Sequence, residues 1–155
     1  MIADRLLRWL EAQGRKRIVF DSVTQEPYLE RYYVFLKDRQ RFPFNIFLHK
    51  FLKSDPDDLH DHPWPYATLI LKGGYWEWTA EFDSNGMKIA EVRHWRGPGH
   101  LRFSKAKSYH RVELEPNVAC WTLFMPGPQC REWGFLVNNR WIHNRSYLAN
   151  RNKSE

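Results

Sequence analysis

The sequence predicts a mainly β fold, a sandwich or closed barrel, with one short N-terminal α-helix. Three observations lead there. Beyond residue 17, apolar residues alternate with polar ones or form short unbroken runs, which is strand spacing and not helical spacing. About nine or ten such runs are separated by turn signals at regular intervals, the pattern of a sandwich or barrel. The aromatic share is 16%, with eight Trp, and strands and ligand cavities both use aromatics readily. A double-stranded β-helix (jelly roll) accommodates all three.

The elements follow in order. Residues 1–14 read as the helix: Ile2, Leu6, Trp9 and Leu10 recur at helical spacing and Gly14 can end it. Its apolar stripe is expected on the outside of a sheet. Strands are expected at Ile18–Asp21 and Tyr28–Leu36, then a polar turn at residues 38–41. Phe44–Leu52 follows, with Phe44, Ile46 and Leu48 on one face and Asn45, Phe47, His49 and Phe51 on the other. Residues 54–58 form an acidic loop, and Pro63 and Pro65 suggest an irregular strand start at a barrel rim. Ala67–Leu71, Tyr75–Thr79 and Lys88–Trp95 are strands, separated by Gly73-Gly74 and by the hairpin signal Ser84-Asn85-Gly86. After Gly97-Pro98-Gly99, Leu101 and Phe103 alternate with His100 and Arg102, which places the latter pair outward. Tyr109–Glu115 puts His110, Val112 and Leu114 on its apolar, inward face. Val118–Met125 and Glu132–Val137 complete the strands, with a turn at Pro126–Gln129. The tail from residue 138 to 155 is rich in Asn and Arg and is expected to lie along the surface or fray.

The 155 residues suffice for a single domain with a real core. Hydrophobic content of 43% argues against disorder. The formal net charge of +6 permits nucleic-acid or anion binding. The basic residues are nevertheless scattered without a dense run, so they read as a solvated surface and nucleic acid is a disfavoured partner. No secretory leader and no membrane span is expected: residues 1–14 are charged and amphipathic, and no run approaches about 20 apolar residues. If Pro126–Gln129 turns a hairpin, Cys130 faces Met125, so a disulfide to Cys120 would be poorly placed. A cytoplasmic protein with reduced thiols is the expectation.

The chemistry centres on His60-Asp61-His62-Pro63-Trp64 and on His110. Two histidines one residue apart share a face of an extended strand, so their imidazoles can converge. A third from a neighbouring strand would complete a facial set of nitrogen ligands, suited to iron, zinc, copper or nickel. The bland reading is a loop in which Asp55, Asp57, Asp58 and Asp61 surround two solvated histidines. His49 is a fourth histidine, expected as a hydrogen-bonded interior side chain more than a ligand. Cys120 is expected to serve packing.

These residues resemble the two motifs of the cupin superfamily. His60 and His62 match the HxH of the first, with Gly73-Gly74 at the expected distance; Gly99 and His110 keep the spacing of the second. The acidic ligand of the first motif falls on Tyr66 or Ala67, and the Pro and Gly of the second fall on Lys105 and Lys107. The resemblance covers residues 59–114. HDHPW and REWGF segments are also similar to those of small bacterial and phage cupins, a likeness that carries no function with it. Three histidines without the acid look like cysteine-dioxygenase-type members, although Ala67 stands where their crosslinking cysteine would lie. The resemblance implies a divalent metal on His60, His62 and His110, Fe(II) first, with Zn, Ni or Mn as alternatives.

Three neutral imidazoles leave the metal's charge uncompensated and favour a small anionic chelating substrate. The first functional reading is therefore a non-haem Fe(II) dioxygenase-like enzyme. A non-redox cupin enzyme (sugar isomerase or epimerase), a small-molecule-binding module and a nucleic-acid-associated protein stay open. Trp64, Tyr66 and Glu77 are candidate pocket residues beside His49, with Glu77 equally readable as solvent-facing. Asp61 should point away from the metal, with a supporting hydrogen bond to a histidine as its candidate role. A homodimer is implied by the resemblance alone.

Overall fold

In the computed structural model, residues 2–21, 24–37, 42–55 and 58–151 are described. The expected turn at 38–41 and Asp57 lie outside them. The chain opens with helix α1 (Ile2–Ala12), followed by β1 (Lys16–Phe20), β2 (Pro27–Tyr33), β3 (Phe47–Phe51), β4 (Tyr66–Lys72) and β5 (Tyr75–Phe82). Then come β6 (Lys88–Arg96), β7 (Leu101–Ser104), β8 (His110–Glu113), β9 (Cys120–Pro126), β10 (Gly134–Val137), β11 (Arg140–His143) and α2 (Asn144–Arg151).

The strands form a jelly-roll pair of antiparallel sheets. One runs β1-β2-β3-β9-β4-β7; the other consists of β6-β5-β8 and the hairpin β10-β11. The two pieces of the second sheet are joined by one residue. His60 bridges His110 on β8 and Phe135 on β10, with Asp61 N–H donating to Gly134 O and Leu136 N–H to Leu59 O. Between the sheets lies a core cluster of Ile70, Tyr75, Val112 and Cys120, with Phe51 and Leu114 packed against it. Full burial of each large apolar side chain stabilises by about 1.5–3 kcal/mol.

Turn chemistry sets the connections. In the β5–β6 hairpin Gly86 takes φ +79°, and the Asp83 carboxylate accepts from the N–H groups of Asn85 and Met87. Gly73, at φ +78°, passes so close to β9 that a Cβ would sit 2.5 Å from the Ala119 carbonyl.

Four expectations are corrected. Over residues 138–151 the tail folds instead of fraying: Asn138 and Asn139 both have positive φ (49° and 62°), forming a two-residue turn that only αL-tolerant residues accept. That turn folds β11 back on β10, with Val137 opposite Arg140. Helix α2 then docks through Tyr147, stacked on Phe135 at 3.8 Å and bonded to the Asp58 carboxylate at 2.9 Å. Second, Pro126–Gln129 makes no hairpin: β9 pairs with β3 and β4, while β10 belongs to the other sheet. Cys120 and Cys130 are free thiols, the first buried and the second exposed. Third, α1 buries Leu10 but leaves Leu6 and Trp9 about half exposed. Fourth, on β7 it is Leu101 and Phe103 that face outward, while Arg102 reaches inward to the buried carboxylate of Glu77. An interior carboxylate demands a counter-charge, and that demand overrides the apolar-in pattern of a four-residue strand. Among the described residues no helix is long and apolar enough to cross a membrane.

Candidate metal centre

His60 and His110 face each other across a narrow antiparallel bridge, each N–H donating to the other's carbonyl at 2.9 Å. Directly opposed residues present side chains on the same face, and His62 lies on that face two residues on. The three imidazoles form a nearly equilateral triangle, with centroid separations of 5.2, 5.0 and 5.0 Å. One ring nitrogen from each lies within 4.8 Å of the others. His62 Nε2 and His110 Nε2 are 2.8 Å apart. Two nitrogens bound at about 2.1 Å and a right angle to one ion lie about 3 Å apart, so little movement separates this geometry from a ligated one.

The proton inventory also suits a metal. His110 Nδ1 lies 3.1 Å from Glu77 Oε1; the carboxylate only accepts, so Nδ1 carries the proton and Nε2 offers its lone pair to the cavity. Burial, then the neighbouring histidines, holds the His62 pKa well below the usual range; burial, then His60 and Arg102, does so for His110. Both are neutral at pH 7, the state a ligand needs. His60 Nδ1 is buried with no hydrogen-bond partner among the described residues. The donor set and this orphaned nitrogen fit a divalent ion.

Glu77 is neither solvent-facing nor a wall of this cavity. It lies buried behind His110, because β5 pairs with β8 and sets Glu77 opposite Val112 and Thr79 opposite His110. Its Oε2 accepts from Arg96 Nε at 2.8 Å, and its Oε1 is shared between His110 and Arg102. Asp61, fully buried, points away from the histidines as alternation required. It bonds no imidazole. Instead it accepts from Gly134 N–H (2.7 Å) and the Trp141 indole (3.2 Å) and pairs with Arg131 at 2.7 Å, clamping the β10–β11 hairpin to the histidine segment.

A cavity of about 110 Å³ opens against the three histidines, with Trp64, Tyr66 and His49 in its wall. Tyr66, one of the two positions on which the motif's acid falls, lines the cavity beside the histidines. Its hydroxyl is 3.1 Å from His110 Nε2, and burial pushes its pKa up to about 12. His49 is stacked on Phe47 and Phe124. Its Nε2 accepts from Arg31 Nε at 3.0 Å, so that nitrogen already has a partner. Trp76 lies on the other face of β5, where its indole donates to Glu115.

Sequence reading missed three further cavity residues, Arg31, Asp55 and Thr122. Arg31 makes no ion pair among the described residues and is largely desolvated. The Thr122 hydroxyl is buried without a partner among them. Asp55 accepts from Val112 N–H at 2.7 Å, and burial raises its pKa. For Arg31 and Thr122 the available signal was the alternation of β2 and β9; Asp55, in the loop between β3 and β4, carried none.

No protein-family model matches the sequence, and no curated protein matches it. Solved structures share its fold at low identity. A cupin-2 domain from Rhodospirillum rubrum superposes with a TM-score of 0.57 at 13% identity, covering 79% of this chain and 76% of the other. The polyketide cyclase RemF from Streptomyces resistomycificus gives 0.52 at 16%, covering 85% and 87%. The Fe(II) form of HppE, solved with an alternative substrate, gives 0.53 at 12%, covering 73% of this chain and 56% of the other. This chain therefore spans little more than half of that one's length. The fold is the one these cupin structures share, and on it this chain gathers three histidines fit to hold a divalent metal.

Proposed function

We propose that this protein is a metal-dependent cupin enzyme, a non-haem Fe(II) dioxygenase-like oxygenase for a small anionic chelating substrate. The observation that carries this reading is the triangle of His60, His62 and His110, open on one side to a cavity that also contains Arg31, a cation with no ion pair among the described residues. The Fe(II) structure of HppE, on the same fold, supports iron as the first choice. When bound, Fe(II) would supply the means to activate dioxygen; the protein holds the ligands, positions the substrate and excludes water. Arg31 supplies a counter-charge for a carboxylate or similar anion, and the Thr122 hydroxyl offers a free hydrogen-bonding group beside it. The cavity has the volume of about four waters, well below the roughly 300 Å³ of drug-sized sites, so the substrate it admits is small.

Tyr66 favours a second, non-redox reading. A protonated hydroxyl 3.1 Å from His110 Nε2 can hand a proton to a bound ligand, as an isomerase, epimerase or cyclase needs.

Elemental analysis of untagged protein, beside the His60→Ala/His110→Ala variant, separates the readings. The expected result is near-stoichiometric iron in wild type alone, followed by oxygen uptake with small thiols or diketones. Zinc, nickel or manganese in wild type alone would move the assignment to the non-redox reading. No metal in wild type after reconstitution would overturn the oxygenase reading and leave a metal-free epimerase or a binding module.

A further inference from the structure

A second, larger cavity lies on the far side of Glu77. It is a cleft of about 1120 Å³ between the inner faces of β5 and β6, strand β7 and the loop that follows it. Its lining includes His94, Arg96, Arg102, Lys105, Lys107 and Arg131 and, among the described residues, no Asp or Glu. These residues are strung along the sequence from 94 to 131, so no basic run announces them. The fold assembles them: register places His94 opposite Glu77 and Arg96 opposite Tyr75, on the inner face, and β7 adds Arg102.

The charge does not cancel. Glu77, behind the wall, pairs with Arg96 and Arg102, and Asp61 pairs with Arg131. Five guanidinium and ammonium groups against these two carboxylates leave three positive charges over. Lys105 and Lys107 are exposed and make no ion pair among the described residues. Focused positive potential in a walled cleft attracts polyanions, and guanidinium forks with lysine point charges suit phosphate oxygens. Phe82 and Tyr109 also line the cleft, their rings 5.9 Å apart. Inclined at 46° to one another, they offer apolar ring faces next to the cations.

We propose that this cleft binds a phosphorylated ligand of nucleotide size, its phosphates on the lysine and arginine groups and its ring system against Phe82 and Tyr109. The site is separate from the three-histidine cavity, with Glu77 between them, and stands whether or not that centre holds iron.

Cys130 makes the test specific to place, because it is exposed and lines the cleft while Cys120 is buried. The probe is ADP, titrated calorimetrically at physiological salt, with alkylation of Cys130 by iodoacetamide followed in parallel. The expected result is saturable one-to-one binding that slows alkylation by about fivefold or more at saturation. Lys105→Glu/Lys107→Glu should weaken binding by about tenfold or more. Lys53→Glu/Lys72→Glu makes the same change in net charge away from the cleft and should leave affinity near wild type. Absence of saturable binding, binding that leaves Cys130 unprotected, or equal loss in both variants overturns the proposal. So does protection by a twelve-nucleotide oligodeoxythymidine where ADP gives none, which would make the ligand a nucleic-acid backbone.

Discussion

Glu77→Gln separates charge from shape behind the metal centre. The substitution keeps the side chain's volume, so neither a cavity nor overpacking contributes. It removes one buried negative charge that faces two guanidiniums and the Nδ1–H of His110. Breaking a buried pair by deleting one partner costs about 3–5 kcal/mol when the other is left uncompensated. Arg96 and Arg102 keep side-chain exposures of 18% and 21%, so water recovers part of that loss, leaving about 2–4 kcal/mol. For a domain of this size the melting temperature should fall by about 5–15 °C. His110 also loses the carboxylate that fixes its tautomer, and losses of that kind weaken metal binding by about 10–100-fold. Thermal unfolding of metal-free protein measures the first effect, and competition for Co(II) against a chelator measures the second. A variant that melts within about 2 °C of wild type and holds metal equally well would refute the argument, because Glu77 would then carry neither the charge balance nor the orientation assigned to it.

The other predictions concern neighbouring residues. His49→Gln should retain wild-type metal stoichiometry, since the His49 Nε2 accepts from Arg31; metal loss equal to that of a His60 variant, read by elemental analysis, would make His49 a ligand. Gly134→Ala should destabilise by about 1–3 kcal/mol in denaturant titration, because the new Cβ would fall 2.2 Å from the Ile142 carbonyl; unchanged stability would mean the hairpin shifts at no cost. Asp61→Ala leaves three donors unpaired and should cost about 2–4 kcal/mol. Hydrogen exchange should rise most across residues 134–143, and a uniform rise would show that Asp61 does not act as a local clamp.

What the sequence reveals here depends on whether strand period or strand pairing decides the matter. Period alone puts His60 and His62 on one face and aims His110 inward. Those inferences need only the two-residue repeat of an extended chain. Glu77 defeats the same reasoning, because alternation between two tryptophans leaves it equally readable as solvent-facing and says nothing of its neighbours. Only the pairing of β5 with both β6 and β8 sets it between Arg96 and His110. Arg102 fails for the opposite reason: local alternation points it outward, and an ion pair formed across the barrel reverses that. The β10–β11 hairpin was written in Asn138-Asn139, yet Asn-rich composition reads equally as a surface tail. Arg31 and Thr122 were hidden among aromatic and apolar strand residues, since nothing local distinguishes a cavity wall from a packed interior.

The position of the carboxylate sets the electrostatics of the proposed centre. An acid in place of Tyr66 beside the histidines would set a negative group next to the metal directly. Here that position holds a hydroxyl whose pKa of about 12 keeps it protonated at neutral pH. The carboxylate instead sits one side chain further out, at Glu77, where two arginines already share its charge. Asp55 is bound to the Val112 amide. A divalent ion on the three histidines would therefore keep most of its charge for an incoming ligand. Arg31 adds a second cation on the same cavity wall. Both features favour an anion over a neutral molecule, so the proposed chelating, negatively charged substrate rests on the placing of Glu77 behind His110 as much as on the three histidines.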